Sequence, residues 1–152
     1  KGYNVLADFI GDGHSFDYLY NLTKELGLED NIKLLGTKSQ KYIFEHLCEY
    51  NLFVQPSIIE GFGLTVAEAM AAKIPVLVSE NQGPLEIIDN GKYGYSFKNG
   101  DAKDCADKII NIMEQGVDLD MINAAYKRVK ELYSVQQTAA NYVNEYKRLL
   151  SE

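Results

Sequence analysis

Short apolar runs of β type alternate with helix-period segments through the first two-thirds of the chain, and this alternation restricts the fold more than any other feature. The β-type runs cover residues 5–10, 32–35, 52–55, 75–78 and 93–97. Between most of them lie helical patterns over 15–26, 40–49, 63–72 and a short 84–88. Strands that are apolar on both faces and separated by helices read as βαβ units around a parallel sheet. The expected fold class is therefore α/β, a Rossmann-like doubly wound parallel sheet. Gly27 stands where a glycine would stop the first helix. Helical patterns over 101–115 and 118–133 follow, and a last helix starts at Ser134, whose spacing to Gln137 is that of a capping box. Val135, Ala139, Tyr142, Tyr146 and Leu149 give that last helix one apolar stripe. No repeat, low-complexity tract or linker interrupts the pattern, so the expectation is one α/β domain with C-terminal helices.

In such a sheet, ligands bind beyond the carboxyl ends of the strands. The loops to inspect hold Gly11-Asp12-Gly13-His14, Gly36-Thr37-Lys38-Ser39, the stretch from Pro56 to Gly63, and the stretch from Ser79 to Pro84. The richest segment runs from Glu60 through Gly61, Phe62, Gly63, Leu64 and Thr65 to Glu68, leading from a strand into a helix that is apolar nearly all round. An all-round apolar helix is expected to be buried. Glu68 is its only charge, and a buried carboxylate needs a partner, either protein donors or ligand hydroxyls. A structural Glu bonded to loop amides is the plain alternative. Gly61 and Gly63 flank a helix start whose orphan N–H groups and dipole favour an anion such as a diphosphate. Glu68 falls on the face below that first turn, and Glu60 comes just before the glycines. Hydroxyls on both sides of a diphosphate describe a sugar nucleotide.

Glu60 and Glu68 form an E-x7-E pattern, and with them the chain resembles the C-terminal half of a family 4 retaining glycosyltransferase of the GT-B fold. The resemblance runs from Phe9-Ile10-Gly11-Asp12-Gly13 through Leu26-Gly27-Leu28, Asn31 to Gly36, and Val54-Gln55-Pro56-Ser57. It continues over Glu60 to Leu64, Glu68-Ala69-Met70-Ala71, Ile74-Pro75-Val76, Gly83, Glu86, Asp89-Asn90-Gly91 and Gly94. What it implies is a nucleotide-diphosphate sugar as donor substrate, transfer of the sugar to an acceptor hydroxyl with retention, and no cofactor or metal. Glu60 would be the catalytic-site carboxylate, touching donor-sugar hydroxyls near the reacting carbon. Amides of Gly61, Phe62 and Gly63 would face the sugar, those of Leu64 and Thr65 the diphosphate, and Glu68 the ribose. Thr37 and Lys38 would line the base, and Gly11 and Gly13 the floor of the cleft. Three departures stand out: Gln82-Gly83 replaces two glycines, Lys73 replaces a glycine, and an Arg and a Lys that neutralise the diphosphate are absent. Lys1 lies too close to the first strand to be that lysine. The expectation is a domain without its first strand and helix and without the N-terminal acceptor-binding half, inactive alone. Peripheral membrane association would fall to that other half.

Charge and composition agree with a small-molecule ligand. Fifteen basic residues against 22 acidic give a net charge of −7, with only Arg128 and Arg148 as arginines. That balance argues against a nucleic-acid partner. Two cysteines make no disulfide framework, apolar runs fall short of a membrane span, and no signal peptide opens the chain. A cytoplasmic setting, at the inner face of the membrane, is expected for glycan biosynthesis. Gly11-Asp12-Gly13 lacks the third glycine of a dinucleotide fingerprint, which Phe16 replaces. Asp118-Leu119-Asp120 has metal-motif spacing but reads as a helix cap. His14 lies at a ligand-facing loop without a paired acid, and His46 reads as surface or partly buried. Cys48 and Cys105 read as small buried hydrophobes. A sugar-nucleotide epimerase, a phosphorylase on the same architecture, or a non-catalytic binding domain are the rival readings.

Overall fold

The computed structural model describes residues 2–151; Lys1, weighed above as a phosphate-neutralising lysine, lies outside them. Among the described residues, five strands and seven α-helices follow one another in the expected order. Two compact units divide the chain between Glu45 and His46. In the first, β1 (Ala7–Ile10) and β2 (Ile32–Gly36) pair in parallel, with α1 (Phe16–Glu25) packed on β2. Gly27 ends α1, its amide donating to the Lys24 carbonyl at 3.0 Å. β1 departs from the both-faces-buried pattern, because Phe9 and Ile10 are exposed. Within this unit a two-stranded sheet with one packed helix has few layers to cover it. α2 (Gln40–His46) closes the unit and tightens into a 3-10 turn, Leu47–Glu49. That change of period turns Cys48 outward, against the expectation of a buried thiol.

The second unit holds a parallel sheet in the order β3 (Phe53–Gln55), β4 (Val76–Ser79), β5 (Tyr95–Phe97). β4 is central and buried throughout, as a parallel strand covered on both faces must be. Leu77 and Phe97 pack with Ile112 of α5 (Ala102–Gln115), alongside Cys105 and Ile109. Burial pushes the Cys105 thiol pKa up. α3 (Leu64–Ala71) packs against β3, β4, α4 (Gln82–Ile87) and α6 (Leu119–Tyr133). Asp118 caps α6, accepting from the Met121 amide at 2.9 Å, so its DxD spacing is a cap as expected. Ser134 caps α7 (Val135–Leu150) by accepting from the Gln137 amide at 3.2 Å. The apolar stripe of α7 is exposed, with Tyr142 and Tyr146 touching one another rather than entering a core. Tyr126 and Tyr133 of α6, by contrast, are half-buried packing residues. Among the described residues no helix is long and apolar enough to cross a membrane.

One glycine fixes the packing of β4. A Cβ on Gly94 would lie 2.6 Å from Val76 Cγ2 and 2.9 Å from Ile88 Cγ2. Both neighbours are buried β-branched side chains with little rotamer freedom. Gly94→Ala is expected to lower stability by about 2 kcal/mol, the usual range for overpacking. Urea denaturation reads this as a lower midpoint at unchanged slope.

Candidate functional site

β3 ends at Gln55, whose side chain is buried although the residues before it are apolar. Its Nε2 donates to Glu60 Oε2 at 2.9 Å and to Ser57 Oγ at 3.2 Å. Its Oε1 accepts from the Thr65 hydroxyl at 2.6 Å. The sequence placed Gln55 at a strand end and within the Val54-Gln55-Pro56-Ser57 segment of the resemblance, but gave it no role of its own. The loop beyond it is held by its carbonyls. That of Ser57 accepts from Ser79 Oγ at 2.5 Å and from Asn81 Nδ2, and that of Ile58 accepts from Asn99 Nδ2 at 2.9 Å. Asn99 Nδ2 also donates to Asn81 Oδ1 at 3.2 Å. The loops after β3, β4 and β5 are thereby tied together at the carboxyl ends of the sheet, where ligands of such sheets bind.

Gly63 begins α3 in a left-handed conformation, φ 91° and ψ 47°, which a side chain would strain. The first intrahelical bonds run from the Val66 and Ala67 amides to the Gly63 carbonyl, at 2.9 and 3.4 Å. The amides of Leu64 and Thr65 therefore sit at the open, positive end of the helix. The first turn of α4 closes on this region. A Cβ on Gly83 would be 2.7 Å from the Gly61 carbonyl oxygen and 2.8 Å from the Phe62 nitrogen. The Gly83 that stands with Gln82 in place of two glycines is thus the one that backbone contact requires. Phe62 is held edge-to-face by Tyr133, ring centroids 5.5 Å apart.

Glu68 corrects an expectation. α3 is not buried all round: it buries Val66, Ala67, Ala69 and Met70, while Leu64 and Thr65 are exposed and Glu68 is half-buried. A helix of 3.6 residues per turn puts Leu64, Thr65 and Glu68 on one stripe. Its apolar content suggested full burial because alanines and valine fill the covered face, leaving Leu64 on the open one. The carboxylate shares a solvent-reached face with the helix start. Glu60, also half-buried, precedes the Gly61–Gly63 turn, with Oε2 committed to Gln55. Lys73 has left-handed backbone, φ 60°, a conformation that glycine adopts more readily; its Nζ lies 4.6 Å from the centre of the Tyr126 ring.

The other predicted residues lie in the first unit and come together there. The Gly11 amide donates to the Gly36 carbonyl at 3.0 Å, joining the loops that follow β1 and β2. Gly13 belongs to the turn into α1, its amide donating to Asp12 Oδ1 at 2.7 Å. Thr37 is exposed, and Lys38 is half-buried with Nζ 5.2 Å from the centre of the Tyr42 ring. His14 is exposed. His46 is half-buried, with Nδ1 3.1 Å from Glu49 Oε1.

The chain is similar to known proteins in sequence and in fold. The family described as Glycosyl transferases group 1 matches residues 1–128. A sucrose synthase of Denitrovibrio acetiphilus is 31% identical over 148 residues, covering 86% of this chain and 19% of that protein. A glycosyltransferase crystal structure from Rickettsia africae superposes with TM-score 0.86 at 25% identity, over 99% of this chain and 41% of that one. Anabaena Alr3699/HepE in complex with UDP gives TM-score 0.78 at 25% identity, over 92% of this chain and 41% of that one. The chain thus spans about a fifth of the sucrose synthase and two-fifths of the two crystallised chains.

Proposed function

The chain belongs to the glycosyl transferases group 1 family, and we propose from that premise that it is the donor-binding domain of a retaining, metal-independent hexosyltransferase. One observation carries the reading. The open amides of Leu64 and Thr65, the Glu68 carboxylate on the same helix face, and the anchored Glu60 lie in sequence around one helix start. A nucleotide-diphosphate sugar matches them in order. Glu68 accepts from the ribose hydroxyls, the helix amides take the diphosphate, and Gly61, Phe62, Gly63 and Glu60 meet the sugar. When the bond between the anomeric carbon and the phosphate oxygen breaks, charge develops on the diphosphate, and the amides are already oriented toward it. The acceptor hydroxyl forms the new bond on the same face of the sugar. The acceptor site and the basic residues that complete charge neutralisation belong to another part of the protein, so this chain alone transfers no sugar. Glycan biosynthesis at the cytoplasmic side of the membrane is the setting that this reading assigns.

Saturation-transfer NMR with UDP-glucose tests the sugar side. Glucose protons next to the anomeric carbon are expected to receive saturation from the wild-type chain and to lose most of it in Glu60→Ala. The uridine protons should keep theirs in both. Equal saturation of the glucose protons in the two proteins would remove Glu60 from the site.

A further inference from the structure

We propose that Gln55 is a positioning residue that presets the Glu60 carboxylate and the Thr65 hydroxyl for donor binding; this rests on the reading of Glu60 as a sugar contact. Gln55 is 8% exposed and sits at the end of β3, where pairing with Val78 of β4 fixes its backbone. Both amide protons are used, one on Glu60 Oε2 and one on Ser57 Oγ, while the amide oxygen accepts from Thr65. The carboxylate also decides which way the amide points. Turning it over would set Oε1 against Glu60 Oε2, two acceptors facing each other. Every polar atom of the side chain is therefore spent on the segment that follows β3.

Two consequences bear on ligand binding. With Oε2 held at 2.9 Å by a neutral donor, Oε1 is the oxygen of Glu60 left to take a sugar hydroxyl, and the carboxylate's rotamer is set before the sugar arrives. A preset group loses less freedom on binding than a mobile one. Thr65 gives its only hydroxyl proton to Gln55, so it turns lone pairs outward. A diphosphate at this helix end then meets the Thr65 backbone amide and not its hydroxyl. A buried amide of this kind could also serve packing alone, and the two roles differ in which part of the ligand they affect.

The test is calorimetric titration of the chain with UDP and with UDP-glucose, comparing wild type, Gln55→Met, Gln55→Glu and Glu60→Ala, with thermal melting of each. Gln55→Met keeps the side chain's length and removes its hydrogen bonds. Gln55→Glu keeps an acceptor for Thr65 but sets a second carboxylate against Glu60. In wild type, UDP-glucose should bind more tightly than UDP. Both Gln55 variants should lose about tenfold of that sugar-dependent gain, as expected for a hydrogen bond to a charged group, with UDP affinity near wild type; the melting temperature should fall by a few degrees in Gln55→Met and further in Gln55→Glu, where two carboxylates meet in a buried place. An unchanged gain in Gln55→Met, when Glu60→Ala has lost it, overturns this inference alone. Parallel loss for UDP and UDP-glucose makes Gln55 structural and overturns it as well. No sugar-dependent gain in wild type overturns the reading of Glu60, and this inference with it.

Discussion

Glu68→Ala is expected to weaken nucleotide binding by about a hundredfold, as the loss of two charge-assisted hydrogen bonds implies. The residue lies one turn below the open amides of α3, half-buried, on the stripe it shares with Leu64 and Thr65. From there a carboxylate can accept from both ribose hydroxyls while the amides above it hold the diphosphate. Glu68→Gln keeps one carbonyl acceptor and should lose about tenfold, the effect of one such bond. Melting of each variant, read beside its UDP affinity, separates a ligand contact from a structural one. The control lies in that contrast. If Glu68 is structural, the alanine variant melts lower while UDP affinity stays as it was.

The second large effect is expected at Gly83. Alanine there brings a Cβ to 2.7 Å from the Gly61 carbonyl oxygen and 2.8 Å from both the Gly61 carbonyl carbon and the Phe62 nitrogen. All three atoms are backbone, so no rotamer change can relieve the crowding. Either α4 lifts away from the Gly61–Gly63 turn or the turn itself shifts. A cost near the upper end of overpacking, about 3 kcal/mol, follows. In a domain of this size that is a fall in melting temperature of roughly 6–12 °C. UDP-glucose binding should fall with it, since the displaced turn is the one proposed to face the sugar. Gly61→Ala is the matched control. Nothing lies within 4 Å of a Cβ there, so it should melt close to wild type. Equal stability of Gly83→Ala and wild type would mean that the two segments are not held together as described.

These two residues differ in how far the sequence revealed them. Glu68 stood out as the single charge in an apolar helix, and its spacing to Leu64 and Thr65 put it below the helix start. Its burial was misjudged because apolar composition does not say which face is covered; Val66, Ala67, Ala69 and Met70 make the buried side of α3, and Leu64 lies on the open one. Gly83 was visible only as a position shared with a family, and the reason for it, one backbone pressed on another, exists only once α4 is folded onto the turn. Gln55 fell within the Val54-Gln55-Pro56-Ser57 segment of the resemblance, yet a single amide after Leu52, Phe53 and Val54 says nothing of what it bonds. Its partners lie two, five and ten residues along the chain and meet it only through the loop and the start of α3. Local rules did well where local chemistry decides. The five strands, the helix stop at Gly27 and the caps at Asp118 and Ser134 follow from period and capping. They failed at Cys48, where the α-helix gives way to a 3-10 turn, and at β1, where Phe9 and Ile10 are exposed.

The most direct test of a donor site around this helix start is calorimetry of the wild-type chain and its Glu60→Ala and Glu68→Ala variants against UDP-, GDP- and ADP-glucose. The account predicts that wild type binds at least one of them, weakly, since the proposed reading assigns the basic residues that complete diphosphate neutralisation to another part of the protein. Glu68→Ala should abolish that binding, and Glu60→Ala should reduce the sugar nucleotide to the affinity of its nucleoside diphosphate. Binding that survives both substitutions unchanged, or no binding by the folded wild-type chain to any of the three, would contradict it.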